Sequence, residues 1–319
     1  MTSEDRDLRV DDASPRRERP RPDRPRRRRR KSRFLLKILL VILVIFLIDL
    51  YRRINTAFEE MYEPFGDSVV DVRDSNFTLG RSSFSILILG TDGGRTDSMM
   101  VATINPRAGT TYLLSIARDT MVTIPGWGTT RINHAYAYGG LDLAVNTVQD
   151  LLNIPIDYHV TIGMEEFHIL IDAFGGVTVY NDTVAFALGG YDFPLGRVEL
   201  SGSAAYYYVR MRMDDPRGDF GRQERQRDVM NAMAQEAMSF TMVRRYPQVL
   251  NSIGGHMTTN VTGGNMLVIA LRYNRALRNI TNLDLQAPGQ IINGMYLIPI
   301  PDWQLQEMTQ RLRTHLELD

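Results

Sequence analysis

The chain has 319 residues, which is enough for one large core or two modest domains, and it contains no cysteine. The absence of cysteine excludes a disulfide framework and a thiol nucleophile. The formal net charge is zero, because 37 basic side chains match 37 acidic ones. However, 14 basic and 7 acidic residues fall within positions 1–33, so a basic N-terminal region of +7 precedes an acidic remainder of −7.

The basic region is rich in proline and arginine and ends in an unbroken basic run from Arg26 to Lys31. It cannot bury enough apolar surface to offset the loss of chain entropy, so residues 1–33 are predicted to be a disordered tail. Such a tract can bind nucleic acid or anionic lipid. Its position beside an apolar segment favours lipid, at about 1 kcal/mol per basic residue near the surface, and we expect no specific nucleic-acid partner.

Residues 34–51 are apolar except for Lys37 and Asp49, which lie near opposite ends of the segment. Eighteen helical residues span roughly 27 Å, close to the ~30 Å hydrocarbon core of a membrane. A buried core helix and a cleaved secretory signal are the alternatives, but no small-x-small cleavage site follows the segment. We predict an uncleaved single-pass signal anchor in the cell membrane. Since basic residues favour the cytoplasmic side, the tail is predicted to be cytoplasmic and the rest extracytoplasmic.

After the anchor, residues 52–82 are predicted to form a short polar stalk, and residues 83–319 a single domain. Strand-like and helix-like patterns alternate in this domain, which is typical of a central sheet covered by helices. We therefore predict a three-layer α/β/α fold with a central mixed sheet, preceded by one transmembrane helix. The predicted strands are 84–89, 99–104, 111–116, 158–162 and 177–180, and the predicted helices include 132–138, 142–152 and 164–174.

Three separate segments of the domain share a preference for phosphate and for a hard cation. Guanidinium groups suit phosphate oxygens because they donate two parallel hydrogen bonds and stay charged. Paired carboxylates suit magnesium, which prefers oxygen ligands and bridges phosphate groups. The segments are 90–97, with Asp92, Arg95 and Asp97; 115–119, with Arg118; and 208–226, with Arg210, Arg212, Arg222 and Gln226.

Two predicted helices position the third segment. Ser201 is suited to cap the first of them, which is predicted to end near Arg210. The second is predicted to begin near residue 219, and on it Arg222 and Gln226 are four residues apart, so they share one face. Arg225 points away from that face, toward water or a partner carboxylate.

The motifs also resemble those of a known family. They are Tyr-x-Arg-x-Arg at 208–212 and Asp-Phe-Gly-Arg-Gln-x-Arg-Gln at 219–226, preceded by the segments 90–97 and 115–119. In this order they are similar to the LytR-CpsA-Psr family of membrane-anchored glycan phosphotransferases, from about residue 84 to about residue 235. Ala117 stands where the family usually has proline, and Arg131 stands where lysine is commoner.

The resemblance implies transfer of a phospho-linked glycopolymer from a polyprenyl-pyrophosphate carrier to a hydroxyl group of peptidoglycan. It implies that Asp92 and Asp97 hold Mg²⁺, with Mn²⁺ as an alternative, and that Gln226 binds the substrate. The implied catalytic residues are Arg95, Arg118, Arg210, Arg212 and Arg222. Two alternatives stay open, a pyrophosphatase acting on the same lipid and a membrane-bound regulator whose basic tail binds nucleic acid.

Overall fold

The structure is a computed structural model that describes residues 27–73, 77–237, 249, 252 and 255–318, with side chains from residue 35 onward. The first 26 residues of the predicted tail therefore lie outside the described residues. The chain divides into two compact units, residues 1–48 and 49–319.

The first helix, α1, spans Arg27–Glu60 and so begins seven residues before the predicted anchor and ends within the predicted stalk. Its extent has a simple cause, because no proline occurs between Pro25 and Pro64 and most of its residues are good helix formers. Within the described residues, no helix has the length and apolarity that crossing a membrane requires. The signal anchor at 34–51 stays a prediction.

In residues 49–319, helices and strands alternate as predicted. The helices after α1 are α2 His134–Leu152, α3 Phe167–Phe174, α4 Gly202–Arg210, α5 Asp219–Ala237, α6 Gly263–Arg272, α7 Asn274–Arg278 and α8 Asp302–Leu316. The strands are β1 Phe84–Asp92, β2 Arg95–Asn105, β3 Thr110–Ser115, β4 Met121–Ile124, β5 Gly128–Arg131, β6 Tyr158–Gly163, β7 Val177–Asn181, β8 Phe186–Leu188, β9 Tyr191–Phe193, β10 Gly196–Leu200, β11 Met257–Thr259, β12 Ile280–Asp284, β13 Gln290–Ile292 and β14 Met295–Leu297.

The central sheet has six strands in the order β11-β6-β1-β2-β3-β12. β1, β2 and β3 run antiparallel to one another, whereas β6 is parallel to β1 and β12 is parallel to β3. The predicted mixed sheet is therefore confirmed. The small sheets formed by β4–β5, β7–β10, β8–β9 and β13–β14 lie outside it.

Two apolar clusters cover opposite faces of the central sheet, because successive side chains of a strand alternate between faces. On one face, Leu87 and Leu89 of β1 belong to a cluster with residues of α2 and α8. On the other face, Phe84 of β1 packs in a cluster that includes Ile54 of α1 and Tyr273, which lies between α6 and α7.

A third apolar cluster joins α3, α4 and α5 to the β7–β10 ribbon. Its fully buried members include Ile171, Ala205, Tyr208 and Val229. This cluster packs the end of α4 against the middle of α5, and Met164 of the loop after β6 belongs to it. The ends of these elements form the edge of the site described next.

Candidate active site

One cavity of about 300 Å³ collects most of the residues that the sequence singles out. It lies where the tip of the β1–β2 hairpin meets the end of α4 and the first turns of α5. Seven of the eight predicted site residues line it: Asp92, Asp97, Arg118, Arg210, Arg212, Arg222 and Gln226. Three distant segments therefore converge on one place.

The two aspartates reach the cavity through the hairpin tip. The turn needs Gly93 and Gly94, whose φ angles of 55° and 80° are those of a tight two-residue hairpin loop. The pairing of β1 with β2 then shifts between Gly90 and Thr91, which leaves Asp97 as the extra residue of a β-bulge. A bulge re-aims a side chain, and here it places Asp97 in the same cavity as Asp92.

Each aspartate faces an arginine across the cavity. Asp92 Oδ2 lies 3.3 Å from Arg210 Nη2, and Asp97 Oδ1 accepts a hydrogen bond of 2.8 Å from Arg118 Nη1. Arg210 is also held by the Tyr206 hydroxyl at 2.7 Å, with its guanidinium 4.8 Å from the centre of that ring. These pairs hold the guanidinium groups of Arg118 and Arg210 in place before a substrate binds.

Arg118 is the best compensated cation of the site. Burial lowers its pKa, but the hydrogen bond and charge of Asp97, together with the charge of Asp119, outweigh burial and leave the pKa raised. Asp119 lies between two arginines, 3.6 Å from Arg118 Nε and 3.4 Å from Arg131 Nε. Asp119 is therefore placed to orient both guanidinium groups.

Arg222 is the most deeply buried arginine of the cavity. It lies in the first turn of α5, only 8% exposed, with Nη2 2.8 Å from Asp219 Oδ1. Burial lowers its pKa, and the nearby cations Arg118 and Arg212 lower it further against the opposing charge of Asp219. An anion in the cavity would relieve this repulsion.

Arg212 differs from these residues because it is exposed and forms no ion pair with any residue in the described part of the chain. Its guanidinium lines the cavity from the segment that leaves α4. Gln226 is buried one helical turn after Arg222, as the spacing of α5 predicts. Together they offer one free cation and one neutral hydrogen-bonding group.

Arg95 is the exception among the predicted site residues. It is exposed at the first position of β2, opposite Asp92 in the hairpin pairing, and it is not part of the cavity lining. The sequence alone could not show that the side chains of Arg95 and Asp97 point in different directions, because the bulge at Asp97 depends on how β2 pairs with β1. Its role in catalysis stays a prediction.

Some parts of the site have no signal in the sequence. Apolar side chains form one wall of the cavity, namely Met164, Leu188, Met211 and Met213. A neighbouring depression of about 550 Å³ shares Arg118 and Arg212 with the cavity and adds Arg131 and Tyr296, whose carbonyl accepts a 3.1 Å bond from Arg131 Nε. Only packing brings these segments, up to 165 residues apart, together.

The donor set can accept a hard cation. Asp92 and Asp97 place two partly exposed carboxylates in one cavity, and magnesium is commonly bound by one or two carboxylates plus substrate phosphates. In the described residues, no group of three or more His, Asp or Glu side chains is arranged to hold a metal ion alone. The residues therefore fit a metal that the substrate helps to bind.

Comparison with known proteins identifies the family. Residues 50–314 match the family model described as the LytR_cpsA_psr family. The chain belongs to the LytR-CpsA-Psr family. Its motifs at 208–212 and 219–226, which carried the resemblance, lie within the matched range.

Relatives of this LytR-CpsA-Psr chain cover between 75% and 85% of it. A protein of Bacillus anthracis, named polyisoprenyl-teichoic acid–peptidoglycan teichoic acid transferase TagU, is 38% identical over 279 residues, 85% of this chain and 91% of the relative. A solved structure described as TagT bound to LIIa-WTA is 28% identical, with a TM-score of 0.70, over 80% of this chain and 99% of that chain. An Enterococcus faecalis structure described as a transcriptional regulator is 36% identical, with a TM-score of 0.70, over 75% of this chain and 90% of that chain.

Proposed function

We propose that this chain transfers a phospho-linked glycopolymer of the teichoic acid type from a polyprenyl-pyrophosphate carrier to peptidoglycan. The relative named for that transfer matches 85% of the chain. The observation that carries the proposal is the cavity in which four arginines from two of the segments face Asp92 and Asp97 from the third. Such a site suits a pyrophosphate better than any neutral ligand.

The reaction needs one bond made and one broken. The oxygen of a peptidoglycan hydroxyl bonds to the phosphorus attached to the glycan, and the bond from that phosphorus to the bridging oxygen breaks. Polyprenyl monophosphate leaves, and Asp92 or Asp97 accepts the hydroxyl proton. Because phosphoryl transfer depends mainly on positioning and electrostatic stabilisation, the site requires no covalent nucleophile.

The arginines stabilise the charge that develops during this step. Negative charge grows on the non-bridging oxygens and on the leaving oxygen, and preorganised donors lower its energy without rearranging. Arg118 and Arg210 are already fixed by the two aspartates, whereas Arg212 and Arg222 gain a new anionic partner. Gln226 donates a further hydrogen bond from its side-chain amide.

We also propose magnesium, or manganese in its place, as the cofactor held by Asp92 and Asp97. When bound, the ion neutralises charge on the pyrophosphate oxygens and orients them. Support comes from the donor set, since carboxylate oxygens are preferred ligands of both ions.

Replacing Asp97 by alanine tests this assignment. We expect Asp97→Ala to abolish magnesium-dependent turnover of the lipid-linked donor while the melting temperature changes little, because the carboxylate is 27% exposed and leaves no core cavity. Asp192→Ala, at an exposed position of β9, is the control and should behave like the unmodified chain. Normal turnover of Asp97→Ala in the presence of a chelator would refute the metal role.

A pyrophosphatase is the nearest alternative, and it differs only in that water attacks in place of the sugar hydroxyl. The two are separated by their products, which are a free glycan phosphate for the pyrophosphatase and a glycan joined to peptidoglycan for the transferase. We favour the transferase because of the relatives' named activity.

A further inference from the structure

Arg225 is a buried cation that does not line the cavity, although it belongs to the same motif as Arg222 and Gln226. It is 3% exposed, and its Nη1 donates a 2.6 Å hydrogen bond to Asp215 Oδ2, whose side chain is fully buried. Its Nη2 donates to the backbone carbonyl of Met211, and its guanidinium carbon lies 5.5 Å from the centre of the Phe186 ring. The pair is neutral overall, so it adds no net charge to the phosphate site.

The position of the Met211 carbonyl gives this contact its importance. Met211 stands between Arg210 and Arg212, and it is the first residue after α4. The carbonyl on the other side, that of Arg212, accepts a 3.3 Å bond from the Asp215 backbone N–H. The peptide groups on both sides of Arg212 are therefore tied, one to Arg225 itself and the other to the partner of Arg225.

Asp215 is in turn fixed from several directions. Its Oδ1 accepts a 2.8 Å hydrogen bond from the Arg217 backbone N–H, and its carbonyl accepts a 2.9 Å bond from Gly218 N. It also packs directly against Gly221 of α5, where any side chain at position 221 would overlap the carboxylate. A glycine one turn before Arg225 thus leaves room for the pair to form.

We infer that Arg225 and Asp215 are positioning residues, which hold the segment from Arg210 to Asp215 so that Arg212 faces the pyrophosphate. Arg212 is exposed and forms no ion pair with the residues that the structure describes. The position of its guanidinium group therefore depends on how its backbone is held. Two simultaneous bonds from one guanidinium explain why this position holds arginine, since an ammonium group cannot span both partners in a fixed geometry. The inference rests on the proposed phosphate site.

A matched pair on the same helix provides the control. Arg227 is 4% exposed and its Nη1 lies 2.7 Å from Asp284 Oδ1 of β12, so it is also a buried arginine of α5 with a carboxylate partner. It has no contact with the segment after α4 among its described interactions. Arg227→Lys and Asp284→Asn therefore show how much hydrogen exchange and pyrophosphate affinity change when α5 alone is disturbed.

The experiment compares Arg225→Lys and Asp215→Asn with these controls and with Arg212→Ala, all in the full-length chain. Amide hydrogen exchange measures order in residues 210–215, and calorimetry measures the affinity for inorganic pyrophosphate with Mg²⁺. We expect exchange in 210–215 to rise at least tenfold in both Arg225→Lys and Asp215→Asn, with pyrophosphate binding about tenfold weaker. The control variants should change neither quantity, even at an equal loss of melting temperature.

The outcomes separate the inference from the function on which it rests. Unchanged exchange at 210–215 in Arg225→Lys and Asp215→Asn would overturn the inference, and so would affinity losses no larger than those of the Arg227 pair. Raised exchange, with pyrophosphate binding that Arg212→Ala does not weaken, would support the fixed segment and refute the proposed phosphate site. Gly221→Ala, which displaces the carboxylate without removing a charge, should reproduce the effect of Asp215→Asn.

Discussion

At the scale of single residues, the arginines of the cavity are not equivalent. Arg118 has three carboxylates nearby that raise its pKa, whereas the pKa of Arg222 is lowered by burial and by neighbouring cations. A cation held under repulsion in the absence of substrate is stabilised when an anion binds. This difference predicts which substitution separates activity from stability.

We expect Arg222→Ala to lower turnover by roughly 10²–10³, because a preorganised donor to a transition state is commonly worth ~2.7–4 kcal/mol. The free energy of unfolding should change little or rise, because the substitution removes repulsion with Arg118 and Arg212. Arg222→Lys should restore little activity, since an ammonium group lacks the two-pronged contact. Turnover and thermal unfolding of each variant are the measurements.

The control for that experiment follows from the structure. Arg225 shares the helix, but its removal would leave the buried Asp215 carboxylate with Arg217 alone as a cationic partner, so the substitution would also destabilise the fold. Arg197 of β10 is suitable because it pairs only with exposed Glu199 among the described residues, and Arg197→Ala should be neutral in both assays. Equal, small losses of turnover in Arg222→Ala and Arg197→Ala would show that the cavity is an ordinary basic surface.

At the scale of elements, the last helix is fastened to the central sheet by a histidine. His315 of α8 is 6% exposed, and its ring nitrogens lie 2.8 Å from the Thr103 hydroxyl of β2 and 2.9 Å from the Thr110 hydroxyl of β3. The ring also stacks on Tyr112 at a centroid distance of 4.0 Å. Burial lowers the pKa of His315 to about 4, with a further contribution from Arg311.

This histidine predicts a pH dependence of stability. Between about pH 6.5 and pH 4 the unfolded chain binds the proton and the folded chain does not, so stability falls as the pH falls. The total loss by pH 4 is on the order of 3 kcal/mol for a shift of this size. Urea unfolding of the purified chain at pH 7 and pH 4.5 measures it, and His315→Gln should have a flatter profile.

Asp228 of α5 contributes with the opposite sign, so the two effects must be measured with separate variants. Burial and the charge of Glu224 raise its pKa to about 6, and the folded state therefore binds more protons than the unfolded state between about pH 3.8 and pH 6. Its contribution to stability grows as the pH falls. An unchanged pH profile in His315→Gln, with Asp228 intact, would contradict the role of the histidine.

At the scale of the whole molecule, we propose that residues 34–51 anchor the chain in the membrane with the tail in the cytoplasm. Support comes from the eighteen-residue apolar segment and from its large side chains between Leu35 and Ile48, which are 41–65% exposed. Exposed apolar surface of that extent is typical of contact with a membrane or a partner.

A reporter fused after Asp319 tests the orientation. We expect activity of the reporter only outside the cytoplasm, because the basic tail carries 14 Lys and Arg residues against two directly after the anchor. Moving the tail's positive charge to the other side of the segment should invert the result. An active cytoplasmic reporter on the unmodified chain would refute the whole topology.

The regulator alternative is also tested at this scale. It needs a test because the Enterococcus faecalis structure is described as a transcriptional regulator. A regulator acting through nucleic acid would depend on the basic tail, whereas a transferase would depend on the cavity. We expect deletion of residues 1–30 to leave most transfer activity, measured in membranes that contain equal amounts of each protein. Loss of all function with an intact cavity would favour the regulator.

Much of the fold and site could be predicted from local patterns. The spacing of apolar residues predicted β1, β6 and the break in α2, where Gly139 and Gly140 leave the helical conformation. Ser201 was predicted to cap α4, and its hydroxyl accepts the bond from Ala204 N at 3.4 Å. Periodicity and capping act within a few residues, so they are readable in the sequence.

Other features were decided only by the tertiary structure. The bulge that separates Asp97 from Arg95 depends on how β2 pairs with β1, and the carboxylate partner of Arg225 depends on where the loop after α4 returns. The sequence by itself determined which residues have the chemistry for a pyrophosphate. Packing decided which of them meet, because a contact between distant segments depends on the whole core and not on local spacing.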